Sequence, residues 1–347
     1  MANLSTAYSP KEFELAIAHE GIVGTAQAGG SNDANYKLIN IDSIEMPSLN
    51  PQQVLDVRHG AGRTLKTVDM FLNNNLTVKE ISFSGIADST ILPMLVQNIT
   101  QDASGASSIP AAYNPSELKK GDTSSTANIA TFSVLLRSPE ANNSMLFKGC
   151  VLTSLTLNGD ISEESGRIKM SGTFKTGMKP DFTSNLNPTA RTHFNLNYFT
   201  TDYADDASTT DADIVIAGVT SPILKSFSCT IENDAQFMGF DQDGDHQIIA
   251  RALPEASVTF ESVVKYDADT DGLVASFEQQ STGTLANSLT AKTSASGDVP
   301  RNIDFSIPKA ILTDVSFSEE EAMFLSISQK AVAGTTGDLI AITIEAD

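Results

Sequence analysis

An acidic segment in the last third of the chain has side chains whose types and spacing suit calcium. Asp267, Asp269 and Asp271 alternate along the chain, Gly272 follows, and Glu278 stands at the twelfth position. This is the D-x-D-x-D-G-x5-E spacing of an EF-hand loop, whose carboxylate oxygens ligate a hard cation. The segment is therefore a candidate Ca²⁺ site with Asp267, Asp269, Asp271 and Glu278 as ligands.

The residues before this segment favour a second interpretation. An EF-hand needs a helix ahead of its loop, whereas Val258, Phe260 and Val264 alternate as in a strand. The segment would then be a solvated acidic turn that caps a short helix expected at 273–280, because negative charge suits a helix N-terminus. The sequence leaves both interpretations open.

No other set of side chains predicts catalysis or a bound cofactor. A second acidic turn, with Asp241, Asp243 and Asp245, has Ala252 where the twelfth-position glutamate would stand. The four histidines are scattered, and the sequence contains no H-E-x-x-H, no G-x-S-x-G and no phosphate-binding loop. We therefore expect a protein that is not an enzyme and that requires no cofactor.

The charge balance argues against a surface that grips nucleic acid. The 347 residues include 22 Lys and Arg against 43 Asp and Glu, a formal net charge of −21. Phosphate binding needs clustered Lys and Arg, whereas an acidic wall would repel DNA and let it pass. No segment resembles a signal peptide or reaches the roughly 20 apolar residues of a membrane span. We expect a cytoplasmic origin, with Cys150 and Cys229 buried and reduced.

Two long β-hairpins supply the main structural signal, and they have the same pattern. The first is expected over 147–174 and the second over 224–260. Apolar and polar residues alternate in every arm, as in Leu155 and Leu157 of the first hairpin and Phe227 and Ile231 of the second. A period of two gives each hairpin one packed face and one wet face.

The remaining segments predict a mainly β fold with one or two helices. Residues 1–50 are expected to form an N-terminal arm, and residues 51–347 a single β module with long loops at 101–128 and 200–213. Asp88 is expected to cap a helix with an apolar stripe at Ile91, Leu92, Leu95 and Val96. Further strands are expected at 76–85, 130–136, 214–219, 303–318, 323–332 and 339–346, and the polar stretch 281–300 has no predicted element.

The order of these segments resembles that of bacteriophage major tail tube proteins of long-tailed phages. The stretch ELAIAHEGIVGTAQ at 14–27 is similar to the family's E-x-x-x-G-T entry motif, here Glu20, Gly24 and Thr25. VRHGAGR at 57–63, ISFSGIADSTILPMLVQNI at 81–99, the two hairpins and the late strands follow in the family's order. The long loops and the DADTDG turn have no counterpart in this resemblance.

The resemblance implies a β-sandwich with a flanking α-helix and long hairpins that join an inter-subunit β-barrel. It further implies stacked rings, commonly six-fold, in a virion tail that is assembled in the host cytoplasm. Expected partners are other copies of the chain, a tape measure protein, tail tip and tail terminator proteins, and DNA that passes through the lumen without specific binding. An alternative is another self-assembling β-structural protein, or a calcium-binding adhesive or baseplate protein.

Two sets of residues are then expected to have a role in such a tube. Acidic residues in or beside the hairpin turns would lie at the lumen or its rims: Glu163, Glu164, Glu232, Asp234, Asp241, Asp243 and Asp245. Phe13, Leu15 and Ile17, which alternate in the predicted arm, would contact the neighbouring ring.

Overall fold

The structure is a computed structural model, and it describes most of the strand-forming part of the chain. The described residues are 8–20, 24, 36–47, 52–55, 70–73, 78–88, 91–100, 131–140, 143–163, 166–184, 186, 188, 196–197, 214–240, 246–251, 257–278, 285–293, 301–319, 322–332 and 339–346. The predicted loops at 101–128 and 200–213 lie outside them.

Strands dominate the described residues, which confirms the mainly β class. In chain order the elements are a 3-10 turn (Pro10–Glu12), β1 (Glu14–His19), β2 (Lys37–Leu38), β3 (Ile41–Glu45), β4 (Gln52–Leu55), β5 (Met70–Asn73), β6 (Lys79–Ile86), α1 (Ile91–Thr100), β7 (Phe132–Arg137), β8 (Ser144–Asp160), β9 (Lys169–Thr176), β10 (Asp181–Ser184), β11 (Leu196–Asn197), β12 (Val215–Ile216), β13 (Val219–Thr220), β14 (Leu224–Glu232), β15 (Ala235–Phe240), β16 (His246–Arg251), β17 (Ser257–Lys265), α2 (Asp271–Glu278), β18 (Leu285–Thr293), β19 (Arg301–Glu319), β20 (Met323–Ala331) and β21 (Ala341–Ala346).

Two antiparallel sheets share the long strand β8. The first sheet has the order β2–β1–β7–β8–β10. The second has the order β3–β6–β9–β8–β14–β17–β20–β19–β18, with β21 beside β19 and both β11 and β12 beside β18. The pairs β4–β5 and β15–β16 form separate two-stranded sheets.

β8 passes from one sheet to the other near Gly149. This residue has φ +60°, a conformation that favours glycine, and the register with β7 shifts between Phe132 and Val134. A Cβ at Gly149 would lie 2.8 Å from Sδ of Met178. Glycine therefore provides both the backbone conformation and the space that the bend needs.

The larger of the two apolar clusters in the described residues contains side chains of both sheets. Phe132 of the first sheet meets Phe174 of the second edge to face, with ring centroids 5.9 Å apart. Helix α1 adds Ile91, Leu92 and Leu95, which are fully buried in the same cluster. The predicted cap is present, since the backbone N–H of Ile91 donates to Asp88 Oδ1 at 2.9 Å.

The N-terminal strand belongs to this core and is not part of a free arm. β1 pairs with both β2 and β7, and the side chains of Leu15 and Ile17 are 0% exposed. Their expected contact with a neighbouring ring is therefore wrong, because both side chains are already covered by their own chain. Phe13, just before β1, is half-buried and lines an open groove beside β3.

The entry motif has a structural role at the junction of the first sheet. Glu20 Oε2 accepts hydrogen bonds from Gly24 N (2.8 Å) and Thr131 Oγ1 (2.8 Å). Glu20 Oε1 accepts from Ser133 Oγ (2.9 Å) and from Gly149 N (2.9 Å). One carboxylate thus holds together the end of β1, the start of β7 and the bend of β8.

Two local predictions are corrected by the structure. The segment 214–219 is not one strand, because β12 and β13 form a tight hairpin around Ala217 (φ 51°) and Gly218 (φ 80°). The polar stretch 281–300 contains β18, which pairs with β19.

Candidate functional site

The two predicted hairpins are present and lie side by side. β8 pairs with β9, and β14 pairs with β17. β8 and β14 also pair with each other, with Thr156 opposite Thr230. The four strands therefore form one continuous surface, whose inner face carries the buried residues of the core and whose outer face is wet.

Short hydroxyl side chains are the commonest type on the outer face. One row crosses six strands from β3 to β17, and its members face one another in register: Ser43, Ser84, Ser171, Thr156, Thr230 and Thr259. Within this row Ser43 Oγ and Ser84 Oγ are 2.8 Å apart, and Thr156 Oγ1 and Thr230 Oγ1 are 3.0 Å apart. In the next row Ser82 Oγ and Thr173 Oγ1 are 3.1 Å apart. We call this surface the hydroxyl face.

Charges on the hydroxyl face are mixed. Lys175 Nζ lies 3.6 Å from Glu80 Oε1 and 3.3 Å from Asp234 Oδ1. Lys169 Nζ lies 3.4 Å from Glu163 Oε2. Such exposed pairs contribute little to stability, but they hold lysine ammonium groups against carboxylates. The described part of the face is thus hydroxyl-rich with paired charges, and less acidic than the net charge suggested.

The structure places the described members of the acidic set, which were expected at the lumen or its rims, at two ends of the sheet. Glu163 follows β8 at one end of the sheet, whereas Glu232 is the last residue of the facing strand β14 and Asp234 follows it at the other end. Asp160 pairs with Ser226 and Ser154 with Glu232, so the two ends are about 20 Å apart at ~3.3 Å per residue. Glu164, Asp241, Asp243 and Asp245 lie outside the described residues.

The candidate calcium ligands do not converge on one point. β17 leads directly into the segment, and helix α2 begins at Asp271 and ends at Glu278. At 1.5 Å per residue, seven helical steps place Glu278 about 10 Å along the axis from Asp271. The predicted four-carboxylate site is therefore wrong, because the helix starts where an EF-hand loop would still be turning. Among the described residues no group of three or more His, Cys, Asp or Glu side chains could hold a metal ion.

The acidic turn instead organises the start of α2. Asp267 Oδ1 accepts from the backbone N–H of Asp269 at 3.2 Å, and Asp267 O accepts from Asp271 N at 2.9 Å. Thr270 Oγ1 donates to Lys265 O at 2.9 Å and accepts from Asp267 N at 2.9 Å. These contacts match the alternative of a turn that caps the following helix.

Calcium should accordingly not stabilise this protein through the segment 267–278. We expect the thermal unfolding midpoint in millimolar CaCl2 to equal that in matched MgCl2, because no described carboxylate set selects Ca²⁺. A ligand at 100 times its dissociation constant would add about 2.7 kcal/mol to the free energy of unfolding. A calcium-specific rise of the midpoint that Asp269→Asn abolishes would contradict this expectation.

Neither cysteine provides a reactive thiol. Both are free and buried. Burial raises the pKa of Cys229 to about 12, and burial, followed by the nearby Glu20 carboxylate, raises the pKa of Cys150 well above its ordinary value. Cys150 pairs with Phe132 of β7, and Cys229 pairs with Leu157 of β8. Thiolate chemistry is therefore suppressed at both sites.

The comparisons with known proteins identify no family for this chain. No protein-family model matches it, and no curated protein matches it. In the described part of the chain, neither helix has the length and apolar character to cross a membrane.

The hydroxyl face could have been recognised in the sequence. Its signal is Ser or Thr at every second position, as in ISFSG at 81–85 and SFSCT at 226–230. Hydroxyl side chains occupy about half of the wet positions of the four central strands.

Proposed function

We propose that this chain is the major subunit of a bacteriophage tail tube, which assembles into stacked rings whose lumen conducts DNA. The observation that supports the proposal is the hydroxyl face, a polar surface that continues over the strands of both hairpins. A tube subunit needs one hydrated, uniform face towards the lumen and one face that packs in a core. The strands of the two hairpins have one face of each kind. The proposal also rests on the resemblance in segment order. No family match supports it.

Open strand edges are a second supporting feature. On its outer side β3 has no strand partner among the described residues. At the opposite edge of the sheet, residues 311–319 of β19 pair with β20 alone in the described part of the chain. An unpaired edge is a template for another strand. Joining β3 of one copy to β19 of the next would continue the hydroxyl face around a ring and close a barrel.

The chemistry of the hydroxyl face suits passage of DNA better than binding. Stable binding of a duplex requires cations that replace condensed counterions at the phosphates. On this face Lys175 and Lys169 are held by carboxylates, and the central row carries hydroxyls that hydrogen-bond to one another. A phosphate would therefore contact a hydrated surface without free cations. The net charge of −21 on the chain would also repel it.

The proposal includes the partners that a tail tube has. They are further copies of the chain, a tape measure protein in the lumen, and tail tip and tail terminator proteins at the two ends. It places the protein in the virion tail after assembly in the host cytoplasm, and it assigns no enzymatic activity. The alternative of a calcium-binding adhesive protein loses its main support with the separated carboxylates, and no observation favours a different baseplate component.

Electron microscopy of the purified protein tests the proposal. We expect rings or tubes in negative stain, with a stain-filled centre. A monodisperse monomer at high protein concentration, unchanged after addition of a tail tip as a seed, would contradict it.

Lysines placed on the hydroxyl face should convert a passive wall into one that binds DNA. In Thr156→Lys/Thr230→Lys, tubes should form normally, retain duplex DNA at low salt and release their DNA more slowly. Binding should weaken with salt by a log–log slope of ~0.9 per contacted phosphate. A double substitution to Asn at the same positions is the matched neutral control. Equal DNA retention by the lysine and asparagine variants would show that this face does not line the DNA path.

A further inference from the structure

Two apolar side chains of β19 lie on the inner face of the second sheet but are incompletely buried. Phe317 stands opposite Leu325 of β20, and Val315 stands opposite Ile327. Leu325 and Ile327 are 0% exposed, whereas Phe317 is 48% exposed and Val315 is half-buried. The difference arises because β18 does not extend beside residues 311–319 of β19. An inner-face side chain at such an open edge lacks the neighbouring strand that would cover it.

The other open edge of the sheet shows the same incomplete burial. Ile44 of β3 stands opposite Phe83, which is 3% exposed, but Ile44 itself is half-buried. An open groove of about 730 Å³ lies here between the 3-10 turn and β3, and its lining includes Phe13 and residues 38–44. Because consecutive residues of β3 line it, the groove follows the edge of the strand. Its volume is in the range of cavities that hold ligands, which leaves room for side chains of a further strand.

The strand directions allow these two edges to join. The order from one edge to the other is β3, β6, β9, β8, β14, β17, β20 and β19, and every neighbouring pair is antiparallel. Because the number of strands is even, the two edge strands run in opposite directions. A rotation about an axis along the strands that sets β19 of one copy beside β3 of the next therefore makes one more antiparallel pair. The open segment 311–319 is also longer than the five-residue strand β3.

Both faces of the sheet would match across such a joint. Ser43 of β3 belongs to the hydroxyl face, and Ser316 of β19 stands opposite Ser326 on the same face. Ile44 and Phe317 belong to the inner face. Hydroxyl side chains would therefore adjoin hydroxyl side chains, and apolar side chains would adjoin apolar ones. A two-fold contact between two β3 edges would instead leave Phe317 exposed.

We propose that Phe317 and Val315 of one copy enter the groove beside β3 of the next copy, against Ile44 and Phe13, and so continue the inner face from subunit to subunit. A contact between two different surfaces forms a ring when the rotation between copies closes. An aromatic side chain buried in a partner's groove is typical of the residues that dominate an interface. The inference rests on the proposed tube function, and it names the side chains that hold the joint between subunits.

Substitution of Phe317 tests this contact. Phe317→Asp should reduce the number of rings in negative stain by roughly tenfold or more, because it would place a carboxylate in an apolar groove. Phe317→Leu should still form rings. Phe182→Asp is the matched control, because Phe182 is similarly exposed (47%) but belongs to β10 in the first sheet. Circular dichroism melting curves verify that each variant is folded. Wild-type numbers of rings from folded Phe317→Asp would overturn the proposal.

Cross-linking in trans separates this contact from the tube itself. Ser43→Cys and Ser316→Cys replace exposed hydroxyls with thiols of similar size. The two variants carry different tags, are co-expressed and are treated with a short bismaleimide; the native thiols are buried and do not compete. We expect a dimer of the two tagged chains, and no dimer from either variant alone.

The outcomes of cross-linking and microscopy distinguish the two proposals. The mixed dimer without rings would support the contact and remove the tube proposal. Rings without the mixed dimer would overturn the contact and leave the tube proposal standing. A dimer from either variant alone would overturn the contact in favour of a two-fold one.

Discussion

Glu20→Gln should lower the free energy of unfolding by about 2–4 kcal/mol. The Glu20 carboxylate accepts four hydrogen bonds, two from backbone N–H groups and two from hydroxyls. An amide offers one oxygen, so its NH2 group must face either Gly24 N or Gly149 N, and neither N–H can turn away. Urea unfolding followed by circular dichroism measures the effect as a lower midpoint at an unchanged m-value.

Glu14→Gln is the matched control for this substitution. Glu14 is the first residue of β1, the strand that Glu20 follows, and it pairs with Arg137 at 2.6 Å, but its side chain is 49% exposed. We expect a change within about 0.5 kcal/mol, since exposed ion pairs add little. Equal effects of the two substitutions would mean that the Glu20 contacts do not hold the junction together.

Asn287→Leu should destabilise the protein by about 3–5 kcal/mol, because it orphans several buried polar groups. Asn287 Nδ2 donates to Gln329 Oε1, and Gln329 Nε2 donates to Asn287 Oδ1, both at 2.9 Å. Asn287 Oδ1 also accepts from Ala217 N at 2.8 Å. Both amides are buried, at 3% and 1% exposure, so water cannot replace the lost partner. The measurement is equilibrium unfolding in urea.

The double variant Asn287→Leu/Gln329→Leu should be more stable than the sum of the single losses predicts. Removing both amides leaves Ala217 N as the one orphaned group of this set, and Phe227, Leu289 and Phe305 line an apolar pocket beside it. We expect a coupling free energy of about 2 kcal/mol in a double-mutant cycle. Asn143→Leu, at an exposed amide that donates to Glu140, should change stability by less than about 0.5 kcal/mol. Strictly additive single effects would contradict the pairing.

The same buried amide pair explains why one strand escaped prediction. In β18 the inward positions are Leu285, Asn287 and Leu289, so the alternation is interrupted by a polar residue. A strand prediction counts apolar residues at every second position and penalises Asn287. Only the position of Gln329 on β20, which is distant in sequence, makes that asparagine suitable for a core.

The sequence predicted the hairpins, helix α1 and the acidic segment, but it did not predict how the residues of that segment are arranged in space. Alternation located both hairpins, and Asp88 with its apolar stripe located α1, because these signals are local. The spacing Asp267 to Glu278 satisfied a calcium-loop pattern, yet α2 begins at Asp271 and separates the ligands. A sequence pattern specifies order along the chain, whereas ligation requires convergence in space.

The amino-acid sequence by itself determined the mainly β class, the paired hairpins with one wet face, the capped helix and the acidic balance. Each depends on neighbours within a few residues or on composition alone. Only the tertiary structure decided that Leu15 and Ile17 are core residues, that Glu163 and Asp234 lie at opposite ends of the sheet, and that separate strands join into one hydroxyl face. Those outcomes depend on which strands pair and in which register, and that choice is made by contacts between residues far apart in the chain.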